Sequence, residues 1–163
     1  MTQANASLDF STNSPTTSNV LWIKKPLSIY TANNQDAGNG ILVQDGRIIE
    51  LVPKGQQPTL TYQQEFDASQ HVLMPGLVNT HHHFYQTLTR ACPPALNKKL
   101  FPWLQTLYPI WAQLNPEFHE LATELAMVEL LLSGCTTASD HHYLFPQSLG
   151  EGIDQQVNVA RKL

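Results

Sequence analysis

The chain has 163 residues, 42% apolar and 13% charged, with 9 basic and 13 acidic side chains and a net charge of −4. That is apolar material for one ordinary core or two small ones, and the acidic balance argues against a nucleic-acid partner. No run reaches the roughly 18 apolar residues of a membrane span, and the Ser/Thr/Asn-rich start lacks the basic and apolar segments of a secretory signal.

The reading is therefore a cytoplasmic protein whose two cysteines, Cys92 and Cys135, are free thiols. Residues 1–18 form a polar tail without periodicity, expected to be disordered. From Asn19 to Pro53 the pattern is β. Short β-rich runs fall at Val20–Ile23 and Leu27–Tyr30, and a further pair, Ile41–Gln44 and Arg47–Val52, flanks Asp45-Gly46. Asp-Gly between apolar runs marks a tight hairpin, because its primed turn needs positive φ at both central residues. Pro53–Gln64 reads as a loop leading to a strand near His71–Met74. The expectation is a small antiparallel unit of about five strands.

Pro75-Gly76 then punctuates the chain. Leu77–Thr80 is a short apolar strand that runs into His81-His82-His83. Helical spacing follows over Asn97–Leu114, with Pro102 and Pro109 expected to break or kink it. The strongest helix signal covers Pro116 to about Ser133: Asn115 is the N-cap, Pro116 the first helical residue, and Gly134 the stop. Leu121, Leu125, Val128 and Leu132 are expected to form its buried stripe. Thr136–Ser139 is a second short strand, ending at Asp140-His141-His142-Tyr143, and Ile153–Leu163 begins another helix. Strand, helices, strand, helix reads as parallel βαβ. Two such units are visible, whereas a closed (β/α)₈ barrel needs about 200–250 residues.

His81 and His83 are the sharpest chemical feature. Residues two apart on a strand share a face, so the two imidazoles can converge on one ion. His82 points the other way. A histidine tract alone is only a compositional hint, with a plain surface run as the ordinary alternative, but this one directly follows an apolar strand. Asp140, His141, His142 and Tyr143 sit at the second strand end; His141 and Tyr143 share a face that is either site-facing or a loop cap. His71 and His119 read as structural or solvent-exposed. Cys92 and Cys135 read as small buried groups, since no base lies near either in sequence.

The stretch Leu73-Met74-Pro75-Gly76-Leu77-Val78-Asn79-Thr80-His81-His82-His83 resembles the opening of the metal-dependent amidohydrolase superfamily. Asp45-Gly46-Arg47-Ile48-Ile49 resembles that superfamily's N-terminal hairpin. His83–Arg90, Phe101–Leu104 and Ser133–His141 are similar to the branch that deaminates purines and triazines, 8-oxoguanine deaminases and hydroxytriazine aminohydrolases in particular. The resemblance implies an α/β chain: a β-sandwich portion at 19–75, then the first two units of an incomplete TIM barrel at 76–163. It implies one divalent metal, zinc or alternatively iron, held by His81 and His83. The remaining ligands and the acid/base residues are expected beyond the last residue. It implies Gln86 on a polar edge of a small heterocyclic substrate, an aromatic, Trp103 ahead of Trp111, over its ring, and full-length relatives that are homo-oligomers. The function expected is hydrolytic deamination of an oxidised purine, guanine-like ring or triazine. The alternatives are a catalytically incompetent fragment of such an enzyme, or a small β-domain used for binding.

Overall fold

The computed structural model describes residues 19–163; the expected tail at 1–18 lies outside the described residues. The chain divides between Pro75 and Gly76 into two compact units.

In the first unit, strands β1 (Leu21–Lys24), β3 (Gly40–Gln44), β4 (Arg47–Val52) and β5 (Gln64–Asp67) form one sheet in the order β4-β3-β1-β5. The β3–β4 hairpin turns at Asp45 (φ 49°) and Gly46 (φ 73°), the two positive angles that the Asp-Gly pair anticipates. Strand β1 runs antiparallel to β3 but parallel to β5. Two further short strands, β2 (Ser28–Ile29) and β6 (Val72–Leu73), pair in parallel as a separate ribbon. Among the described residues the unit is therefore mixed rather than antiparallel, and six strands replace the expected five or so. The strand missed by sequence is β5. Its residues, Gln64-Glu65-Phe66-Asp67, are all exposed, so no apolar alternation announces it. Val20, Trp22, Leu42 and Val52 form the core, with Ile49 and Tyr62 against it.

The second unit is built on β7 (Leu77–His82) and β8 (Cys135–Asp140), which pair in parallel. Between them run 3₁₀ turns at Phe84–Thr89 and Pro93–Ala95, then helices α1 (Leu100–Trp111) and α2 (Pro116–Leu132). Helix α3 (Gly152–Lys162) follows β8. The expected break in α1 does not occur. Pro102 lies in its first turn, where its missing N–H costs nothing, and the helix runs through Pro109 to Trp111. Helix α2 starts as expected, the Asn115 side-chain oxygen accepting the Phe118 N–H at 2.9 Å. Gly134 (φ 84°) follows its end.

The buried face of α2 differs from the expected one. His119, Ala122, Thr123 and Ala126 are buried, while Leu121, Leu125 and Leu132 are exposed, Leu132 at 83%. Helix α2 meets the Phe84–Thr89 turn and α3, and apart from His119 its buried residues, Ala122, Thr123 and Ala126, are small enough to let the backbones approach. Leucine spacing marks a helix but cannot say which face its neighbours cover. Tyr85, Ala95, Leu107, Trp111 and Leu114 form a separate apolar cluster beneath the turn. His119 is fully buried, whereas His71 is exposed beside the Phe66 ring. No helix among the described residues is long and apolar enough to cross a membrane.

Candidate metal and substrate site

Strand β7 delivers His81 and His83 to one face, with His83 lying just beyond its last residue (φ −133°, ψ 86°). Asn79 accepts the His81 backbone N–H at 3.1 Å and steadies the strand end. The Nε2 atoms of His81 and His83 lie 3.2 Å apart. Two nitrogens held at zinc–nitrogen distance around a tetrahedral ion are about 3.3 Å apart, so the pair already has the spacing of two metal ligands. His83 Nδ1 donates to the His141 carbonyl at 2.7 Å. That bond fixes the tautomer and leaves the Nε2 lone pair for a ligand bond, the usual second contact of a metal-binding histidine. The residues present thus fit a divalent metal. Among the described residues no cluster of three or more His, Cys, Asp or Glu side chains forms, so these two imidazoles are the local donor set.

His82 turns away, as alternation requires. It packs on Phe84 at 4.9 Å, its Nδ1 is buried without a partner, and burial lowers its pKa, with Asp140 opposing.

The end of β8 holds this arrangement in place. The His141 backbone N–H donates to the His82 carbonyl at 2.7 Å. Asp140 accepts the Phe84 N–H at 2.8 Å on one oxygen and Gln156 Nε2 at 2.7 Å on the other. The His141 ring lies over that of His81 at 4.4 Å, and Tyr143 meets His83 edge-on at 5.3 Å. His141 and Tyr143 therefore share the face of the imidazole pair. His142 goes to the opposite side, almost fully buried against Tyr85, His119 and Phe145.

His81, His82, His83, Gln86, Thr87 and Arg90 line a pocket of about 260 Å³. Gln86 reaches it from the 3₁₀ turn, its Nε2 donating to the Tyr85 hydroxyl at 3.1 Å. Trp103 does not line this pocket. It borders an adjoining depression that shares Gln86 and Arg90, and it packs edge-on against Trp111 at 5.4 Å. Trp111 is a core residue, with Nε1 donating to Thr89 Oγ1 at 3.0 Å. Sequence reasoning missed Arg90, whose guanidinium reaches both Glu129 carboxylate oxygens at 2.7 Å, and Tyr85. Neither carries a local signal. Arg90 is placed by a partner 39 residues away, and Tyr85 by burial under α1.

Residues 72–161 match the amidohydrolase family. The chain is 63% identical over 142 residues to an 8-oxoguanine deaminase of Pseudomonas aeruginosa, covering 87% of this chain and 32% of that protein. It is 34% identical over 136 residues to a hydroxydechloroatrazine ethylaminohydrolase of Pseudomonas sp. (strain ADP), covering 77% of this chain and 28% of that one. Among solved structures it resembles an Arthrobacter triazine hydrolase, with a TM-score of 0.73 at 22% identity over 88% of this chain and 33% of that one. It likewise resembles an atrazine chlorohydrolase of Arthrobacter aurescens TC1 complexed with zinc, with a TM-score of 0.70 at 23% identity over the same shares. These two likenesses are of fold. The chain spans about a third of the length of the curated relatives it matches.

Proposed function

The chain belongs to the amidohydrolase family, and from that premise we propose that it serves hydrolytic deamination of an amino-bearing nitrogen heterocycle, an oxidised purine or guanine-like ring ahead of a triazine. The observation that carries this reading is the 3.2 Å approach of His81 and His83 Nε2 beside a pocket bordered by Gln86. The named relatives support the substrate class, and the zinc in a structure of like fold supports the metal.

His81 and His83 would hold the metal, which when bound lowers the pKa of water and makes a nucleophile available near neutral pH. In the net reaction, water replaces the amino group on an sp² ring carbon, which becomes a carbonyl as ammonia leaves. His141 keeps His83 in the ligating tautomer through its carbonyl and screens His81 with its ring. Gln86 meets a polar ring edge with an amide that both donates and accepts. Trp103, across Gln86 from the imidazoles, flanks the part of the substrate furthest from the metal. The same reading carries the expectation of a cytoplasmic protein whose full-length relatives are homo-oligomers.

A second reading, metal binding without turnover, is favoured by the presence of only two converging donors among the described residues. Ammonia release decides between them. A zinc-supplemented full-length relative that carries this segment is expected to liberate ammonia from 8-oxoguanine, and alanine at the positions of His81 and His83 to abolish it. Bound zinc with no ammonia from any amino-purine or amino-triazine would favour the second reading.

A further inference from the structure

The pairing of β7 with β8 ends at His82, opposite Asp140. His83 lies one residue further, beyond the ladder. Two bonds to β8 flank its backbone instead. Before it, the His82 carbonyl accepts the His141 N–H at 2.7 Å; after it, the Phe84 N–H donates to Asp140 Oδ1 at 2.8 Å. The second bond answers a local need. Phe84 opens the 3₁₀ turn Phe84–Thr89, and His83, at the N-cap position, makes no side-chain bond to it. An N-cap residue ordinarily offers its own side-chain oxygen to the first free N–H groups. His83 has no oxygen to offer, and its ring is engaged elsewhere, Nδ1 on the His141 carbonyl and Nε2 beside His81. Asp140 supplies the cap from the other strand, 56 residues away.

The carboxylate is itself held firmly. Its side chain is only 9% exposed, a depth at which a carboxylate is costly unless its oxygens are bonded. Oδ2 accepts from the buried Gln156 of α3 at 2.7 Å, so Asp140 is fixed on one oxygen by α3 and fixes the turn with the other.

We propose that Asp140 is a positioning residue: by capping the turn it clamps the backbone after His83 and so keeps the His83 ring on the His141 carbonyl, with Nε2 toward the metal position. The inference rests on the reading of His81 and His83 as a metal pair and deepens it. Asp140 acts here through the place of one oxygen, not through its charge.

The test begins with the metal-free chain. The ¹⁵N shifts of the His83 ring report which nitrogen carries the proton, and a ring released from the His141 carbonyl no longer keeps it on Nδ1. Wild type and Asp140→Asn, which retains an oxygen at the position of Oδ1, are expected to hold the Nδ1–H form. Asp140→Ala is expected to lose it. Asp140→Glu, which keeps the charge but displaces the carboxylate by one methylene, is expected to lose it too, and it decides the matter if Asp140→Ala does not fold. Gln156→Met takes the partner from Oδ2 and leaves the cap; it is expected to lower the melting temperature with the His83 shifts unchanged, which separates plain stability from positioning. Zinc titration is expected to follow the ring: about tenfold weaker or more where the Nδ1–H form is lost, the usual cost of a lost supporting contact, and close to wild type in Asp140→Asn. A wild type without the Nδ1–H form, its loss in Asp140→Asn, or its retention in both Asp140→Ala and Asp140→Glu would overturn the inference. A tautomer that follows the cap in a chain whose imidazole pair takes up no zinc counts against the metal reading alone. Zinc bound at the pair with a tautomer indifferent to Asp140 counts against the clamp alone.

Discussion

His81 and His83 differ from His82 and His142 only in the face of the chain they occupy, and that sets their chemistry. The first two reach a pocket with a shared contact at Nε2. His82 borders the same pocket but packs its ring on Phe84 with Nδ1 buried, and His142 is driven into packed surroundings. His142 makes this measurable. No well-formed hydrogen bond reaches either ring nitrogen, and Nδ1 is 3.9 Å from Asp140. The groups facing it are His119 from α2, Tyr85 from the 3₁₀ turn and Asp140 from its own strand. Burial lowers its pKa below the usual 6.5, His119 adds to this, and Asp140 opposes it. The unfolded chain then binds more protons than the folded one at mildly acid pH. The contribution of His142 to stability is complete above about pH 6.5 and is lost as pH falls through that value toward the lower folded pKa. Metal-free protein is expected to melt at a lower temperature at pH 5.5 than at pH 7.5, and His142→Phe to narrow the gap. An equal gap in the variant would contradict this assignment. The imidazole pair was legible because a period of two is the simplest pattern a strand imposes. Tyr85 was not, because its role comes from helix α1 covering it.

Among the elements, α2 shows where local pattern suffices and where it does not. Its start is written in three adjacent positions: a capping oxygen at Asn115, proline at the first turn, and Glu117 near the positive end of the helix dipole. Asn115→Ala is expected to cost about 1 kcal/mol in urea unfolding, while Asn115→Asp, which keeps an acceptor oxygen, is expected to cost little. Equal losses would mean that the Phe118 bond is not what starts the helix. The β3–β4 hairpin was equally readable, since Asp45-Gly46 meets a backbone demand that few other pairs meet. Strand β5 was not, because it joins the sheet through backbone pairing to β1 with no buried side chain to mark it. The buried face of α2 escaped for a related reason. It is chosen by α3, which ties itself to α2 through Gln155 on His119 and on the Pro116 carbonyl and through Lys162 on Glu120.

At the scale of the molecule, the second unit leaves apolar surface open. Leu121 and Leu125 on α2 are exposed, and among the described residues β7 and β8 pair only with each other. Open strand edges and clustered exposed leucines favour association. The chain is expected to elute larger at higher concentration, and the double change Leu121→Glu with Leu125→Glu to shift it toward the monomer. A concentration-independent monomer would show that this surface is not adhesive.

The convergence of two imidazoles on one ion is the centre of the account, and ¹⁵N NMR of the histidine rings during zinc titration tests it most directly. The prediction is specific to atoms: Nε2 of His81 and of His83 shift together on zinc binding, while His83 Nδ1 keeps its proton toward the His141 carbonyl and His119 and His142 do not respond. Zinc that moves other ring nitrogens first, or leaves the pair unmoved, would contradict it.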